Sequence, residues 1–290
     1  MTEGIFAIDL GATWLRTALV SPGERRVRAK SVLPTPGTAT EARGLIESEW
    51  RRAGRPRTVA LAAAPELTAG GIVRRWPNRR DYEGSRLVPE SIAETVALAV
   101  FDDATAAAIS AHAFARSRGR ETTICLTVGT GVGGGAVIGG EPLVGRTGAA
   151  MDVGHMPVPA AGELTCSCGR RGCLQAAASA RGIRNQLAPP RMVRDFFRAE
   201  EADVAAALAR ATGAIAEALA IIGRLFDPDR VLVAGGLGLS QLFDRVQDAL
   251  HSRHVTVAIE RHPLGEDAGL IGAATGFGLS ARRAVAAPQC

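Results

Sequence analysis

Four side chains of the types that bind zinc lie close together near the middle of the chain, in the run GHMPVPAAGELTCSCGRRGCLQ. They are one histidine and three cysteines: His155, Cys166, Cys168 and Cys173. Four such side chains within nineteen residues can form a closed tetrahedral Cys3His site. The glycines of CGRRGC permit the tight turns that aim the thiolates at one point. We therefore predict a structural zinc ion.

Two other interpretations of this cluster stay open. The cysteines could form a disulfide or remain idle thiols, although half-cystines this close together form strained bridges. The remaining cysteines, Cys125 and Cys290, have no evident partner in the sequence. The run could also be a zinc ribbon that touches nucleic acid through Arg170 and Arg171, but it lacks a second ligand pair and a recognition helix. We favour the structural zinc and expect no nucleic-acid partner.

Three glycine-rich turns have the composition of phosphate-binding loops, because glycine lets backbone N–H groups approach an oxyanion without a Cβ in the way. Their candidate residues are Asp9, Gly11, Ala12 and Thr13 in the first, Gly129, Thr130, Gly131 and Gly133 in the second, and Gly235 and Gly236 in the third. The only lysine, Lys30, follows no glycine loop, which excludes a Walker A motif. The run GTGVGG fits G-x-G-x-x-G, but an apolar strand follows it where a dinucleotide site needs a helix. The alternative that the glycines only make tight turns stays open for any single loop.

The pattern of apolar residues predicts an α/β protein with two related halves. GIFAIDLGATWLRTALV and ETTICLTVGTGVGGGAVIGGEPLVG each indicate a strand, a glycine turn and a second strand. The other predicted strands are ERRVRAKSVL, TVALAAAP, ETVALAVF, RVLVAGG and TVAIE. The predicted helices cover about 41–52, an alanine-rich stretch after Asp103, 203–226, 240–251 and a closing helix from Ala268.

The bulk composition is that of a globular protein large enough for two lobes. The chain has 290 residues, of which 47% are hydrophobic, and a net charge of +5 from scattered arginines. No uninterrupted apolar stretch of about 18 residues and no signal peptide are evident. We therefore expect a cytoplasmic protein that has no membrane partner.

These motifs resemble those of the ROK family of sugar kinases and regulators. DLGAT resembles the family's first phosphate loop, VGTGVGGG the second, VLVAGGLG the adenosine-binding segment, GHM with CSCGRRGC the zinc signature, and GEDAGLIGAA the closing helix. The resemblance implies a two-lobed, actin-like (ribonuclease H-like) α/β fold with a zinc-binding loop, ATP and Mg²⁺ as cofactors, a sugar substrate and a homodimer. It does not distinguish ATP from polyphosphate as the donor. We place a smaller lobe at 1–102 and a larger one at 103–290, and the last helix is the candidate to pack back onto the first lobe.

Phosphoryl transfer to a hydroxyl group needs a base near the attacking oxygen and a metal ion on the phosphates. Asp103 suits the base, since it follows an apolar strand, begins a helix and matches the family's base aspartate. An N-cap is the alternative role for Asp102 or Asp103, but one cap cannot explain both aspartates. Asp9 suits Mg²⁺, held through water.

The predicted sugar site departs from the family pattern at three positions. Asp102 stands where the family's sugar kinases have asparagine, and Asp152 and Gln175 stand where they have glutamate. His155 is retained, and the resemblance implies that one of its ring nitrogens binds zinc and the other faces the sugar. Asn78 resembles a sugar-contacting asparagine.

The charge of Asp102 gives the direction of the change in specificity. A carboxylate accepts hydrogen bonds only, and it favours an ammonium over a hydroxyl group. We therefore expect phosphorylation of a primary hydroxyl on an amino sugar such as 3-amino-3-deoxyglucose (kanosamine), or on a C7 cyclitol. An ordinary glucokinase and a non-catalytic sugar-binding protein are the alternatives. We do not expect the DNA-binding helix-turn-helix of the family's regulators.

Overall fold

The computed structural model describes residues 4–21, 26–68, 71–115, 121–146, 148–190, 195–198 and 201–286. Cys290 therefore lies outside the described residues. The first elements are β1 (Ile5–Leu10), β2 (Trp14–Ser21), β3 (Arg26–Pro34), α1 (Ala39–Arg52), β4 (Thr58–Ala63), β5 (Glu66–Leu67), β6 (Val73–Arg75), α2 (Glu90–Ala93), β7 (Ala97–Phe101) and α3 (Asp103–Phe114). The next are β8 (Thr122–Val128), β9 (Val132–Ile138), β10 (Glu141–Pro142), α4 (Leu174–Ala178), α5 (Ala180–Asn185), α6 (Ala202–Phe226), β11 (Arg230–Ala234), α7 (Leu242–Ser252), β12 (Ile259–Arg261) and α8 (Ala268–Ala286).

The chain divides into two compact units, each built from more than one segment. The first unit comprises Met1–Arg116, Glu141–Ala150 and Asp267–Cys290, and the second comprises Ser117–Gly140 and Met151–Glu266. Helices α3 and α8 both belong to the first unit in this division. The lobe boundary that we place after residue 102 stays a prediction.

The two units repeat one sheet topology. In the first, the strand order is β3-β2-β1-β4-β7, with an antiparallel β1–β2 hairpin and parallel pairs β1–β4 and β4–β7. In the second, β9, β8, β11 and β12 are hydrogen-bonded in that order, with an antiparallel β8–β9 hairpin and parallel pairs β8–β11 and β11–β12. The two predicted glycine-turned hairpins are therefore the opening strands of two similar mixed sheets, and the predicted α/β class is confirmed.

The alanines and glycines of α3 and α8 have a packing role. Eight residues of α3 are buried, and α8 packs against α3, β1 and β4. A Cβ added at Gly272 of α8 would lie 1.7 Å from the carbonyl oxygen of Ala106 in α3. Two helix backbones approach this closely only where side chains are absent or very small. The alanine-rich sequence thus permits a close helix pair beside the first sheet.

Helix α6 is the core helix of the second unit. Among the described residues it is the one helix long and apolar enough to cross a membrane by length and composition, but 56% of its most apolar window is buried inside the protein. It packs against α4 and α7, and its buried side chains include Leu208, Ile215 and Leu219. A buried, apolar helix of this kind is what a globular unit needs at its centre. A cytoplasmic location stays a prediction.

Candidate active site and metal centre

Asp9 lies near the end of β1 in a crowded, charged environment. It pairs across the hairpin with Arg16, whose Nη1 is 3.5 Å from Asp9 Oδ2. A Cβ added at Gly269, in the first turn of α8, would lie 3.0 Å from Asp9 Cγ. Burial raises the pKa of Asp9 to about 7; the Arg16 guanidinium opposes this shift, and the carboxylates of Asp103 and Asp267 add to it. Carboxyl groups from three elements therefore act on one another here.

The motifs of the sequence do not indicate the roles of Arg16, Asp267 and Gly269. Arg16 was identifiable in principle, since the hairpin register places it opposite Asp9. Asp267 and Gly269 lie in the segment GEDAG, whose pattern predicts only the start of a closing helix. Asp267 also pairs with Lys30, at 2.6 Å between Nζ and Oδ1. Lys30, the only lysine of the chain, and Arg16 therefore both offset the negative charge of the aspartates in the first unit.

The two consecutive aspartates at the start of α3 have different environments. Asp102 is the N-cap, and its Oδ1 accepts hydrogen bonds from the N–H groups of Ala104 and Thr105 at 3.0 and 3.1 Å. Burial raises the pKa of Asp103, although hydrogen bonds from its own N–H group and that of Ala104 lower it in part. The alternative N-cap role therefore applies to Asp102. Asp103 has the raised pKa that a carboxylate needs to accept a proton.

The first glycine turn, Gly11–Thr13, is held from the end of β3. Thr35 Oγ1 donates to the Gly11 carbonyl at 2.8 Å, and the Thr35 N–H donates to the Thr13 carbonyl at 2.9 Å. Inside the turn, the Gly11 N–H donates to the Trp14 carbonyl at 3.0 Å. The turn is therefore fixed from both sides before any ligand binds.

The second and third glycine turns lie at the same end of the second sheet, where the strands before them finish. They follow β8 and β11, which are parallel neighbours. The Val128 carbonyl accepts hydrogen bonds from Leu237 and Gly238 at 3.1 and 2.9 Å. Gly235 has a φ of +82°, and a Cβ there would lie 2.5 Å from the Val128 oxygen. Only glycine fits this position, and the two predicted loops are brought together.

The four predicted zinc ligands converge in the second unit. Their ligand atoms all lie within 4.8 Å of one another. Nδ1 of His155 is 3.4 Å from Cys166 Sγ, and the sulfur atoms of Cys168 and Cys173 are 3.8 Å apart. Two sulfur atoms bound to one tetrahedral zinc at about 2.3 Å are themselves about 3.8 Å apart. The residues therefore fit a Zn²⁺ ion, and the four cysteines that the structure describes form no disulfide.

The thiols of this cluster have sharply different proton affinities. Partial burial would raise the pKa of Cys168, but hydrogen bonds from the backbone and side chain of Arg170 and from the neighbouring cysteines lower it to about 7. Burial and the negative charge of Cys166 raise the pKa of Cys173 to about 12. Without a cation, the thiols cannot all ionise together. A divalent metal that binds all three as thiolates removes this conflict.

Comparisons with known proteins match the chain over nearly its whole length. The ROK family profile matches residues 5–277. The chain belongs to the ROK family. A glucokinase of Thermotoga maritima is 30% identical, with 93% of this chain and 96% of the relative covered. A kanosamine kinase of Amycolatopsis mediterranei is also 30% identical, with 97% and 94% covered.

Solved structures give the same assignment. The crystal structure of a ROK hexokinase from Thermus thermophilus matches with a TM-score of 0.77 and 27% identity. The match covers 96% of this chain and 99% of the hexokinase chain. The predicted ROK family membership and enzyme class, a sugar kinase, are confirmed, as is the fold. The preferred sugar is not decided by these comparisons, since relatives with different substrates are equally similar.

The residues that the ROK pattern predicts at the sugar site fall in both units. Asn78 and Asp102 lie in the first, Asn78 in the loop between β6 and the 3₁₀ turn Arg80–Tyr82. Asp152 and His155 lie in the second, where Asp152 directly precedes the 3₁₀ turn Val153–His155. The preceding residue, Met151, has a φ of +65°, a strained conformation for a side chain of this size. Contact of these residues with a sugar stays a prediction.

Gln175 has partners within the protein at both ends of its amide. Its Oε1 accepts a hydrogen bond from the Val132 N–H at 3.1 Å. Its Nε2 donates to Ser167 Oγ at 2.9 Å and lies 3.9 Å from Cys166 Sγ. The side chain is 7% exposed. Gln175 therefore links the second glycine turn to the zinc loop, a role that sequence reasoning missed, and its predicted contact with the sugar stays a prediction.

Proposed function

We propose that this ROK protein is an ATP-dependent kinase that transfers the γ-phosphoryl group to a primary hydroxyl of a hexose-like substrate, with Asp103 as the general base. The arrangement at the start of α3 carries the proposal. Asp102 supplies the helix cap, so the cap does not account for Asp103. Asp103 lies in a buried environment that raises its pKa, as suits a general base.

The proposed step balances with the residues present. The substrate hydroxyl oxygen forms a bond to the γ-phosphorus while its proton passes to the carboxylate of Asp103. The bond from the γ-phosphorus to the bridging oxygen breaks, and ADP leaves with that electron pair. A base of raised pKa is stronger than an ordinary aspartate, which favours this proton transfer.

The donor side of the reaction falls to the glycine turns and Asp9. The N–H groups of Gly11, Gly129 and Val132 donate within the protein. Other backbone N–H groups of the three turns, at Ala12, Thr13, Thr130, Gly131, Gly235 and Gly236, would bind the nucleotide, and Asp9 would hold Mg²⁺ through water. The environment of Asp9 fits a cation: burial, and to a smaller extent the carboxylates of Asp103 and Asp267, raise its pKa, and an Mg²⁺ ion would stabilise the ionised form. When bound, Mg²⁺ would neutralise part of the negative charge on the phosphates. The choice of ATP over polyphosphate belongs to this proposal.

Zinc would act on the sugar through His155. His155 would hold zinc through Nδ1, which lies 3.4 Å from Cys166 Sγ, and would present Nε2 to a substrate hydroxyl. The metal would thereby orient a substrate ligand without taking part in phosphoryl transfer.

The homodimer also stays a prediction.

The preferred substrate in this proposal is an amino sugar such as 3-amino-3-deoxyglucose. Asp102 supports it, because both cap hydrogen bonds go to Oδ1 and an asparagine could make the same cap. The cap therefore does not require the negative charge, and an ammonium on the substrate would use it. The 30% identity with a kanosamine kinase is compatible with this preference.

A panel of acceptors tests the proposal. The purified protein is incubated with MgATP and, in turn, glucose, 3-amino-3-deoxyglucose, N-acetylmannosamine and a C7 cyclitol, and kcat/KM is measured for each. A higher value for the amino sugar supports the proposal, and a higher value for glucose makes the protein an ordinary glucokinase. Tight sugar binding without any turnover would identify a non-catalytic binding protein. Replacing ATP with polyphosphate identifies the donor.

A further inference from the structure

Arg79 lies one residue after Asn78, and its guanidinium is largely buried among backbone carbonyl groups. The side chain is 14% exposed. Nη1 donates to the carbonyls of Ala12 and Thr35 at 3.2 and 3.4 Å, and Nη2 donates to that of Gly37 at 3.2 Å and to that of Pro36. Five donors in a rigid, planar fork let one arginine bind so many acceptors at once.

Two further contacts hold this guanidinium in place. Asp81 Oδ2 accepts from Nη2 at 3.0 Å. The guanidinium carbon also lies 4.7 Å from the ring centroid of Tyr82, whose hydroxyl donates to the Pro36 carbonyl at 2.9 Å. Residues 79–82 thus hold both the arginine side chain and the Pro36 carbonyl that it binds.

With Arg79 included, every carbonyl of the first glycine turn has a donor from outside the turn. Thr35 holds the carbonyls of Gly11 and Thr13, and Arg79 holds that of Ala12. In a trans peptide the C=O and the following N–H point to opposite sides of the chain. Fixing the Ala12 carbonyl towards Arg79 therefore fixes the Thr13 N–H towards the other side of the turn.

We propose that Arg79 is a positioning residue for phosphate binding: it orients the Ala12–Thr13 peptide so that its N–H group faces the phosphates, and it ties the Gly11–Thr13 turn to the segment that carries Asn78. A carbonyl turned towards a phosphate would repel it, and an N–H group attracts it. The inference rests on the proposed function, since it takes this turn as a nucleotide site.

Binding of nucleotides tests this role without any need for turnover. Dissociation constants of the magnesium complex of AMPPNP and of adenosine are measured by calorimetry for the parent and for Arg79→Met. We expect AMPPNP to bind at least tenfold more weakly to the variant and adenosine to bind within twofold of the parent value. A general structural defect would weaken both ligands alike, because adenosine has no phosphate for the turn to bind.

Three further variants keep the test decisive. Arg80→Met is the matched control, because Arg80 is the adjacent arginine and is exposed; it should bind AMPPNP as the parent does. Arg79→Lys keeps the charge but not the fork, so we expect an intermediate loss. Thr35→Val removes the hydrogen bond to the Gly11 carbonyl and should also weaken AMPPNP selectively. Arg79→Lys decides the matter if Arg79→Met does not fold.

Two results would overturn the proposal. One is a folded Arg79→Met or Arg79→Lys variant that binds AMPPNP within twofold of the parent. The other is an equal loss for AMPPNP and adenosine. A parent protein that binds AMPPNP but phosphorylates no acceptor would refute the proposed function and leave the role of Arg79 to be decided by the binding data. A parent that binds no nucleotide would refute both.

Discussion

The backbone N–H of Val132 donates a hydrogen bond to Oε1 of Gln175 at 3.1 Å. Val132 begins β9 in the second glycine turn, and Gln175 lies in α4, two residues after Cys173, the last of the four predicted zinc ligands. The other end of the amide donates to Ser167, between Cys166 and Cys168. One buried side chain thus connects the predicted nucleotide-binding turn with the metal loop.

Replacing this amide should destabilise both regions. In Gln175→Leu the buried N–H of Val132 loses its acceptor, which costs roughly 1 to 3 kcal/mol in the free energy of unfolding. We also expect faster loss of zinc to a chelator, measured with a colorimetric zinc indicator. Gln247→Leu, at an exposed position of α7, is the control. Unchanged urea unfolding and unchanged zinc release would show that the link has no structural role.

The metal centre should contain about one zinc ion per chain. Elemental analysis of protein prepared without chelator measures it. Cys168→Ser should lower the zinc content and weaken sugar binding, because His155 loses the metal that orients it. Cys125→Ala, in the buried strand β8, should keep the zinc. Protein without stoichiometric zinc would contradict this prediction.

Asp103→Asn should abolish most of the activity while the substrate still binds. The amide keeps the shape of the side chain but cannot accept the hydroxyl proton, so kcat should fall by about 10² or more. Steady-state kinetics give kcat, and calorimetry gives the affinity for the sugar. Asp248→Asn, an exposed position of α7, should keep the parent's kcat. Near-normal turnover by Asp103→Asn would mean that another group is the base.

The stability of the magnesium-free protein should depend on the ionisation of Asp9. Its pKa in the folded protein is about 7, against an ordinary value of 3.8, so the folded state keeps this proton where the unfolded chain has lost it. This contribution to stability therefore decreases as the pH rises from about 4 to about 7. In Asp9→Asn we expect a smaller loss of stability between pH 5 and pH 8, and a more stable protein than the parent at pH 8. Urea unfolding at both pH values measures it, and identical pH dependence in the two proteins would refute the assignment.

Asp102→Asn separates the helix cap from the charge. Asparagine caps helices about as well as aspartate, so the variant should fold normally. If the carboxylate pairs with an ammonium on the substrate, kcat/KM for 3-amino-3-deoxyglucose should fall roughly ten- to a hundredfold, as expected for the loss of a charge-assisted hydrogen bond, and the value for glucose should rise. A neutral cyclitol should show little change. If the ratio of kcat/KM for glucose to kcat/KM for the amino sugar is the same in parent and variant, the ammonium interaction is ruled out.

The sequence determined those parts of the fold that are encoded locally. Period-two and helical patterns predicted both hairpins and the long helices, because each of these elements carries its own apolar face over many residues. The short elements β5, β6 and α2 were not predicted, since two to four residues carry no period of their own. They form because buried side chains of this part of the chain, Trp76, Tyr82 and Ile92, belong to the core of the first unit.

For the site, the sequence by itself determined the Cys3His cluster and the glycine turns, because their spacing and residue types are local. Only the tertiary structure decided which partners each group meets. It placed Gly269 against Asp9 and set Gln175 between the second turn and the metal loop. These contacts join residues far apart in the chain. They depend on how helices and strands pack, and no local pattern records them.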